Sequence, residues 1–568
     1  MSEPIVLEPL DRLFAEELLA HEPEPRPEAL RRAAEAVSAW RRLGHTCIPL
    51  SELEGVTAEA LRQTRCVGRP GDFTPLILDD AGRLYLRRYH AYETQTAAAI
   101  RQRLRQHPSC DQAILAEGLR KFFSADPVSD QARAARTAVE RAFCVITGGP
   151  GTGKTHTIAV VLALLHAQFP VGHPPRIALA APTGKAAARM KESIQRMVDT
   201  NPAFAGLGAL LPREATTIHR LLGVIPNAPD FRHNADHPLP VDVVILDEAS
   251  MTDLALMARL ILSLPAQARL ILLGDRDQLA AVEAGNVLGD LCGRGLHPLP
   301  AAPIATHIVA LRKNYRFEEG SGIHRISQQV NAGDDTAVLA SLGERSTDFG
   351  ATLLPRGDQL RSALRARGLP EFRELLADRD PMKVLSRLND FRLLCALRTG
   401  PFGVVQVNTL LESLLDEAGL IDARQPHYPG RPIIITRNDY QLGLFNGDTG
   451  ILLPDPANPE GGLRVWFPDE AGGVRSFNPG RLPAHETVFA MTVHKSQGSE
   501  FRRVLFLLPD RPAPVLTREL IYTGLTRARD HVELWYEAAT LRTAIRQQVE
   551  RTSGLRDALW AGNDTDEE

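Results

Sequence analysis

Strand-like, mostly apolar runs recur at residues 142–147, 176–181, 241–246 and 269–273, separated by amphipathic stretches of helical period. A run without polar alternation marks a strand covered on both faces. This series therefore predicts a parallel sheet with helices on each side. From about residue 311 a second alternating block follows, with strands predicted at 487–493, 503–508 and 532–536. Residues 430–485 break that rhythm. Short apolar pieces, Pro432–Thr436, Gly450–Leu453 and Leu463–Phe467, are separated by Asn446-Gly447-Asp448, Pro454-Asp455-Pro456 and Gly461-Gly462. Strands this short with turn residues between them predict a small antiparallel barrel inserted into the second block. The first 115 residues read as a separate domain, with a helix over Pro27–Leu43 and strands over Thr74–Asp79 and Arg83–Tyr89. A helical connector follows through Lys121 to about Ala125. The resulting division is 1–115, 116–310, 311–561 and an acidic, disordered tail at 562–568.

At 568 residues the chain exceeds what one core supports. An apolar fraction of 44% and a charged fraction of 24% are those of an ordinary globular protein. No run reaches the length of a membrane span, and the start Met1-Ser2-Glu3-Pro4 is acidic rather than signal-like, so a cytoplasmic location without membrane association is expected. Six scattered cysteines without a C-x-x-C pair argue against a zinc site or a disulfide framework. A net charge of −4 means that any nucleic-acid binding comes from a local groove. Only seven of the 65 cationic residues are lysines. A chain that usually writes arginine has a reason for lysine where a phosphate wants a compact point charge.

One of the seven is Lys154, in Gly148-Gly149-Pro150-Gly151-Thr152-Gly153-Lys154-Thr155. Strand-like Phe143–Thr147 precedes this string and a helical run from Thr155 follows. The spacing is that of a phosphate-binding loop. Its glycines let several N–H groups converge, the helix adds its positive end, Lys154 reaches the outer phosphates, and the Thr155 hydroxyl can ligate Mg²⁺. ATP with Mg²⁺ is the expected ligand. About ninety residues on, Val243–Leu246 runs into Asp247-Glu248. Alone this would mark an ordinary strand exit; opposite a phosphate loop, Asp247 holds Mg²⁺ and Glu248 polarises the attacking water. Leu272–Leu279 offers Gln278 as a γ-phosphate sensor, and Gln131 lies upstream where its amide can read an adenine edge. Two arginines beyond the first sheet, Arg316 and Arg527, can stabilise charge developing on the γ-phosphoryl group. Three further strings, Pro182-Thr183-Gly184-Lys185, Thr217-Ile218-His219 and Thr492-Val493-His494-Lys495, place hydroxyls and cations at loop-to-helix junctions. These are candidate DNA-phosphate contacts at Pro182, Thr183, Lys185, Thr217, His219, Thr492, His494 and Lys495.

In order and spacing these strings resemble the superfamily-1 DNA helicases, over about 400 residues. The GGPGTGKT loop, the DEAS box, Asn314-Tyr315-Arg316 and VHKSQGSEF narrow the likeness to the RecD family, the α subunits of the RecBCD (exonuclease V) complex. Gly44–Leu50, Leu84–Tyr89 and Arg398–Gly403 resemble that family too. The family often carries another Thr where His156 stands, a departure that leaves the phosphate chemistry untouched. The resemblance implies an α/β fold of two RecA-like P-loop domains with ATP between them and single-stranded DNA across their top. It also implies 5′→3′ movement along the 5′-ended strand, a strand-separating hairpin at Val224–Pro240, an SH3-like insertion at 430–485 and a mainly helical N-terminal domain that binds partners. RecB and RecC are the implied partners, in double-strand break repair by homologous recombination and in DNA degradation.

The nearest rival is a stand-alone 5′→3′ helicase of the same branch, whose members carry helix-hairpin-helix units that residues 1–115 lack. A P-loop ATPase that switches or transports would not need the DNA strings, and a decayed scaffold would not keep every catalytic position. Phe467-Pro468-Asp469-Glu470 lacks the lysine a carboxylate nuclease site needs, so nuclease activity is expected in RecB rather than in this chain.

Overall fold

The computed structural model describes residues 6–561 except 171, 205–207, 209–211, 213, 227, 229, 296–300, 319 and 470–472. The tail at 562–568 and Glu470 lie outside the described residues. Among the described residues, twenty strands form four sheets. The first, near the N-terminus, joins β1 (Cys47–Pro49), β2 (Val67–Gly68), β3 (Leu76–Leu78) and β4 (Arg83–Leu86) in the order β1-β4-β3-β2. The strand expected over Arg83–Tyr89 therefore ends at Leu86. Helix Arg87–Leu104 begins at once, because from Tyr89 the buried positions recur at helical spacing.

The six-stranded sheet holds β5 (Phe143–Thr147), β6 (Ile177–Ala181), β7 (Ala215–Thr217), β8 (Val243–Leu246), β9 (Arg269–Gly274) and β10 (Ile308–Ala310), in the order β10-β5-β9-β8-β6-β7. All its pairings are parallel. The strands other than β7 feed two cores by alternation, as runs without polar alternation require. Cys144, Ile146, Val243, Ile245, Ile271 and Leu273 face the helices Gln112–Phe122, Asp130–Glu140, Lys154–Ala167 and Gly184–Thr200. Phe143, Val145, Val244, Leu246, Leu270 and Leu272 face the other way, onto helices Leu254–Leu262 and Val287–Leu291.

That second core also takes Tyr89, Ala97, Ile100 and Leu104 from helix Arg87–Leu104, and Leu555, Leu559 and Trp560 from the last helix, Leu555–Trp560. The N-terminal 115 residues are thus not fully separate: their longest helix is a layer of the first sheet's core. The chain's last described helix returns to the same layer from the far domain. Fully buried Glu93 ties the two ends together, accepting from the Ser553 hydroxyl at 2.8 Å and the Gly554 N–H at 2.9 Å. Burial pushes its carboxyl up.

The third sheet contains β11 (Phe349–Leu353), β12 (Phe391–Cys395), and three later strands. Between them comes the fourth sheet: β13 (Pro432–Ile435), β14 (Thr449–Asp455), β15 (Asn458–Pro468), β16 (Val474–Phe477) and β17 (His485–Thr487), ordered β16-β15-β14-β13-β17 with every neighbour antiparallel. The third sheet then resumes with β18 (Ala490–Thr492), β19 (Phe501–Leu507) and β20 (Ala528–Tyr536), giving the all-parallel order β11-β20-β19-β12-β18. The strand expected over 487–493 is in fact two. Val488 and Phe489 are as buried as their neighbours, so the apolar run continues across the passage from one sheet to the other.

Candidate nucleotide and DNA site

The carboxyl ends of β5, β8 and β9 lie side by side, which is where ligands bind in open parallel sheets. From β5 the loop Gly148–Thr155 curls into helix Lys154–Ala167. Gly151 (φ 81°) and Gly153 (φ 82°) take left-handed backbone there. A Cβ on Gly151 would meet Arg316 at 2.4 Å, and one on Gly153 would meet the Gln131 amide at 2.1 Å. Only glycine fits both the turn and the approach. The Lys154 Nζ donates to the Gly148 carbonyl at 2.6 Å and the Gly149 carbonyl at 3.2 Å. The lysine thus lies along the loop's mouth.

From β8 come Asp247 and Glu248. Burial and the adjacent Glu248 charge push the Asp247 carboxyl up to about 6, with Lys154 opposing. Among the described residues Glu248 is the one non-glycine with positive φ, at 51°. Such backbone costs about 1–3 kcal/mol and persists where the surroundings fix it, commonly at functional sites. From β9 comes Gln278, whose amide donates to buried Asp275 at 3.0 Å; the Tyr522 hydroxyl donates to the same oxygen at 2.8 Å. Tyr522 belongs to the second half of the chain, as does Thr523, whose hydroxyl accepts the Leu279 N–H at 3.0 Å.

The two halves meet around a cavity of about 400 Å³ lined by the loop, Glu248, Gln278, Arg189, Arg316, Arg527 and Arg529. Arg527 is buried, its Nε donating to the Thr523 carbonyl at 3.2 Å and its Nη1 to the Ser499 carbonyl at 3.1 Å. Burial lowers its pKa, opposed by Glu248 and Glu500. Arg316 lies on the connector just beyond β10, where Tyr315 N–H donates to the Gly151 carbonyl at 2.8 Å and Asn314 to Pro150 at 2.9 Å. The buried Arg316 Nη1 has no hydrogen-bond partner. A desolvated cation with an unused donor, beside converging loop amides and Lys154, fits a polyphosphate. Mg²⁺ fits through Thr155 and Asp247, since that ion takes few protein ligands beside phosphate oxygens and water.

Glu500 carries no role in the reading of the sequence alone. It accepts from Arg316 at 2.5 Å, Arg189 at 3.0 Å and Arg529 at 2.9 Å. Burial would raise its carboxyl, but Arg316, Arg189 and Arg529 hold it well below the usual carboxylate range. Its only sequence signal was its place in the VHKSQGSEF string. Because its pKa is depressed, this network contributes fully above the ordinary carboxylate range near pH 4 and is lost as pH falls below it. Glu500→Gln is therefore expected to lower the melting temperature at pH 7 by about 2–4 °C per kcal/mol lost. The gap from the native chain should narrow toward pH 3; an equal gap at both pH values in thermal melts counts against the network.

Gln131 donates to the Thr152 carbonyl at 3.1 Å and, with Tyr315, lines a neighbouring cavity of about 280 Å³. Tyr315 also lines the larger cavity, and its ring is half exposed. In the sequence Tyr315 stands out only as the middle of Asn314-Tyr315-Arg316.

The DNA strings sit at the carboxyl ends of β6, β7 and β18. Thr183 Oγ1 accepts the Ala186 N–H, Thr217 Oγ1 the Arg220 N–H, and Thr492 Oγ1 the Lys495 N–H, at 3.2, 3.2 and 3.3 Å. Each hydroxyl thus caps a turn. Pro182–Lys185 and Thr217–His219 are adjacent because β6 pairs with β7. Across the cleft, a Cβ on Gly498 would lie 3.7 Å from Thr183 Oγ1, and Arg189 donates to the Gly498 carbonyl at 2.8 Å. Burial, then Arg392 and Arg189, push Lys185 down to about 7, with Asp448 of the inserted sheet opposing. Lys495 is paired with Glu486 at 2.8 Å. Burial and Arg551 lower His494. His219 is exposed, its ring 5.8 Å from that of Phe231.

Residues 131–284 match the AAA domain family, and residues 487–534 match the UvrD-like helicase C-terminal domain family. The chain is 37% identical to the RecBCD enzyme subunit RecD of Mycolicibacterium smegmatis, covering 98% of both proteins. It is 39% identical to the same subunit of Mycobacterium tuberculosis, over 98% of this chain and 95% of that one. To the ATP-dependent RecD2 DNA helicase of Deinococcus radiodurans it is 31% identical, over 92% of this chain and 67% of that one. With a phosphate loop on one parallel sheet facing arginines carried by a second, the chain belongs to the RecD family of RecBCD enzyme subunits.

Proposed function

We propose that this chain is the ATP-dependent 5′→3′ DNA helicase subunit of a RecBCD-type helicase–nuclease. It acts with RecB and RecC at duplex ends in recombinational break repair and DNA degradation. The observation that carries the reading is the shared cavity, where Lys154, Glu248 and Gln278 of the first sheet converge with Arg527 of the second. A site split between two domains makes hydrolysis and domain closure one event.

In this reading the amides of Gly148–Thr155 and Lys154 hold the phosphates. Tyr315 and Gln131 hold the base. Glu248 directs water, Gln278 reports the γ-phosphate, and Arg316 and Arg527 stabilise the charge that develops there. Thr155 and Asp247 would hold Mg²⁺, which would supply charge neutralisation at the phosphates. With phosphate in place, Arg316 exchanges Glu500 for the nucleotide. The Thr183/Lys185 and Thr217/His219 grip then shifts along single-stranded DNA relative to the Thr492/His494/Lys495 grip. The fourth sheet is the SH3-like insertion, and the N-terminal region serves as the partner-binding domain. The hairpin separates strands; its backbone closes by pairing Val224 with Phe231.

Identity of 37% to a RecD subunit across 98% of this chain, against 31% to the RecD2 helicase across 92%, favours the complex over a stand-alone enzyme. The test is unwinding of duplexes with 5′ or 3′ overhangs, alone and with RecB and RecC. Unwinding from a 5′ overhang that depends on the partners is expected. Preference for 3′ overhangs, or ATP hydrolysis indifferent to single-stranded DNA, overturns the reading.

A further inference from the structure

Beside the hairpin lies a third open cavity, of about 280 Å³. Its two walls come from different parts of the chain. Helix Arg87–Leu104 supplies Arg88, Tyr89 and Tyr92; the first parallel-sheet domain supplies His219, Phe231 and Arg259. Each wall carries an aromatic pair. Tyr89 and Tyr92 stand edge to face at 6.1 Å, and His219 and Phe231 at 5.8 Å. Each wall also carries a guanidinium: Arg88 lies 5.6 Å from the Tyr89 ring and Arg259 lies 5.2 Å from the Phe231 ring. Two carboxylates also line the cavity, and Arg41 of the same lining offsets one of them. Asp253 caps helix Leu254–Leu262 by accepting the Leu256 N–H at 2.9 Å, and Glu283 pairs with Arg41 at 3.0 Å. Arg88 is exposed and makes no ion pair among the described residues.

Facing aromatic walls with cations at the edge are the means by which proteins hold unpaired nucleotides without reading sequence. The volume is near the ~300 Å³ lower bound of ligand sites, room for one nucleotide rather than an extended strand. The cleft is also continuous with the strings already placed on the DNA track, since His219 belongs to both. We propose that the single-stranded track continues past Thr217–His219 into this cleft, where Tyr92 and Phe231 stack one base and Arg88 holds its phosphate. The N-terminal region then contributes to the DNA path as well as to assembly. This rests on the translocase reading above and extends it to side chains of the N-terminal region.

The test uses the full chain and single-stranded DNA carrying 5-iodouracil at successive positions, with photo-crosslinks mapped to peptides. A crosslink to Tyr92 or Phe231 from one position is expected. Tyr92→Ala should weaken binding about fivefold to a hundredfold, while Tyr92→Phe, which keeps the ring, should restore it. Arg88→Ala, a change at an exposed position, should reduce the slope of log affinity against log salt by about 0.7, one phosphate's worth on a single strand. Crosslinks confined to the Thr183 and Thr492 strings, with both alanine variants binding as the native chain does, overturn the proposal and leave the translocase reading standing. No crosslink anywhere, together with ATP hydrolysis unaffected by DNA, overturns both. Variants that keep DNA affinity and the salt slope but lose RecB and RecC show a protein contact, which also overturns the proposal.

Discussion

Lys154→Gln is expected to cut ATP turnover at saturating single-stranded DNA by at least about a thousandfold while leaving the chain folded. The lysine supplies the only ammonium group in the loop, and its Nζ lies within hydrogen-bond reach of the Gly148 and Gly149 carbonyls. Glutamine keeps an N–H donor on a stem one bond shorter, without the charge. What disappears is the charge, and with it the attraction that grows as the γ-phosphoryl group becomes more negative. Helix Lys154–Ala167 is packed through Ile158, Val160, Val161, Leu162 and Leu165, none of which the change touches. Phosphate release gives the turnover and a thermal melt gives the fold. A variant that melts normally and turns over within tenfold of the native chain would remove Lys154 from the chemistry, and the loop assignment with it.

What the sequence disclosed and what it hid follow from the range of the interactions. The strands β5, β8 and β9 were legible because a strand buried on both faces writes an unbroken apolar run, and the loop and DEAS box were legible because their chemistry is local. Helix Arg87–Leu104 was half legible. Its amphipathic spacing announces a helix, but periodicity does not name the partner, and only the folded chain puts Ile100 and Leu104 against Phe143 and Leu270. The strand over 487–493 was misread because Val488 and Phe489 are buried in the passage between two sheets, so no polar residue marks the break. Glu500 was out of reach for a different reason. Its partners Arg189 and Arg316 lie 311 and 184 residues away, and although Arg316 stood out as a γ-phosphate candidate, no spacing rule joins it to Glu500. The cleft beside the hairpin was hidden in the same way, since Tyr92 and Phe231 belong to separate stretches and no spacing rule joins them.

The largest test of the split site is Arg527. Its guanidinium is buried and fixed by two backbone carbonyls, those of Thr523 and Ser499. A cation so placed is desolvated before the nucleotide arrives, so it stabilises developing charge without reorganising. Arg527→Ala is expected to lower kcat by about 10³–10⁵, the range for an arginine supplied across a domain boundary. Arg527→Lys should rescue little, because an ammonium cannot keep both carbonyls and still face the γ-phosphate. The alanine change also leaves the Thr523 and Ser499 carbonyls without this donor, at about 1–3 kcal/mol for each one left buried and unpaired. A lower melting temperature is therefore expected, and turnover must be measured well below it. Loss through instability alone would be recovered at low temperature, whereas loss of the transition-state contact persists at every temperature where the chain is folded. Near-native kcat in a folded Arg527→Ala protein would mean that the second sheet contributes nothing to the reaction, and the coupling of hydrolysis to domain closure would fall with it.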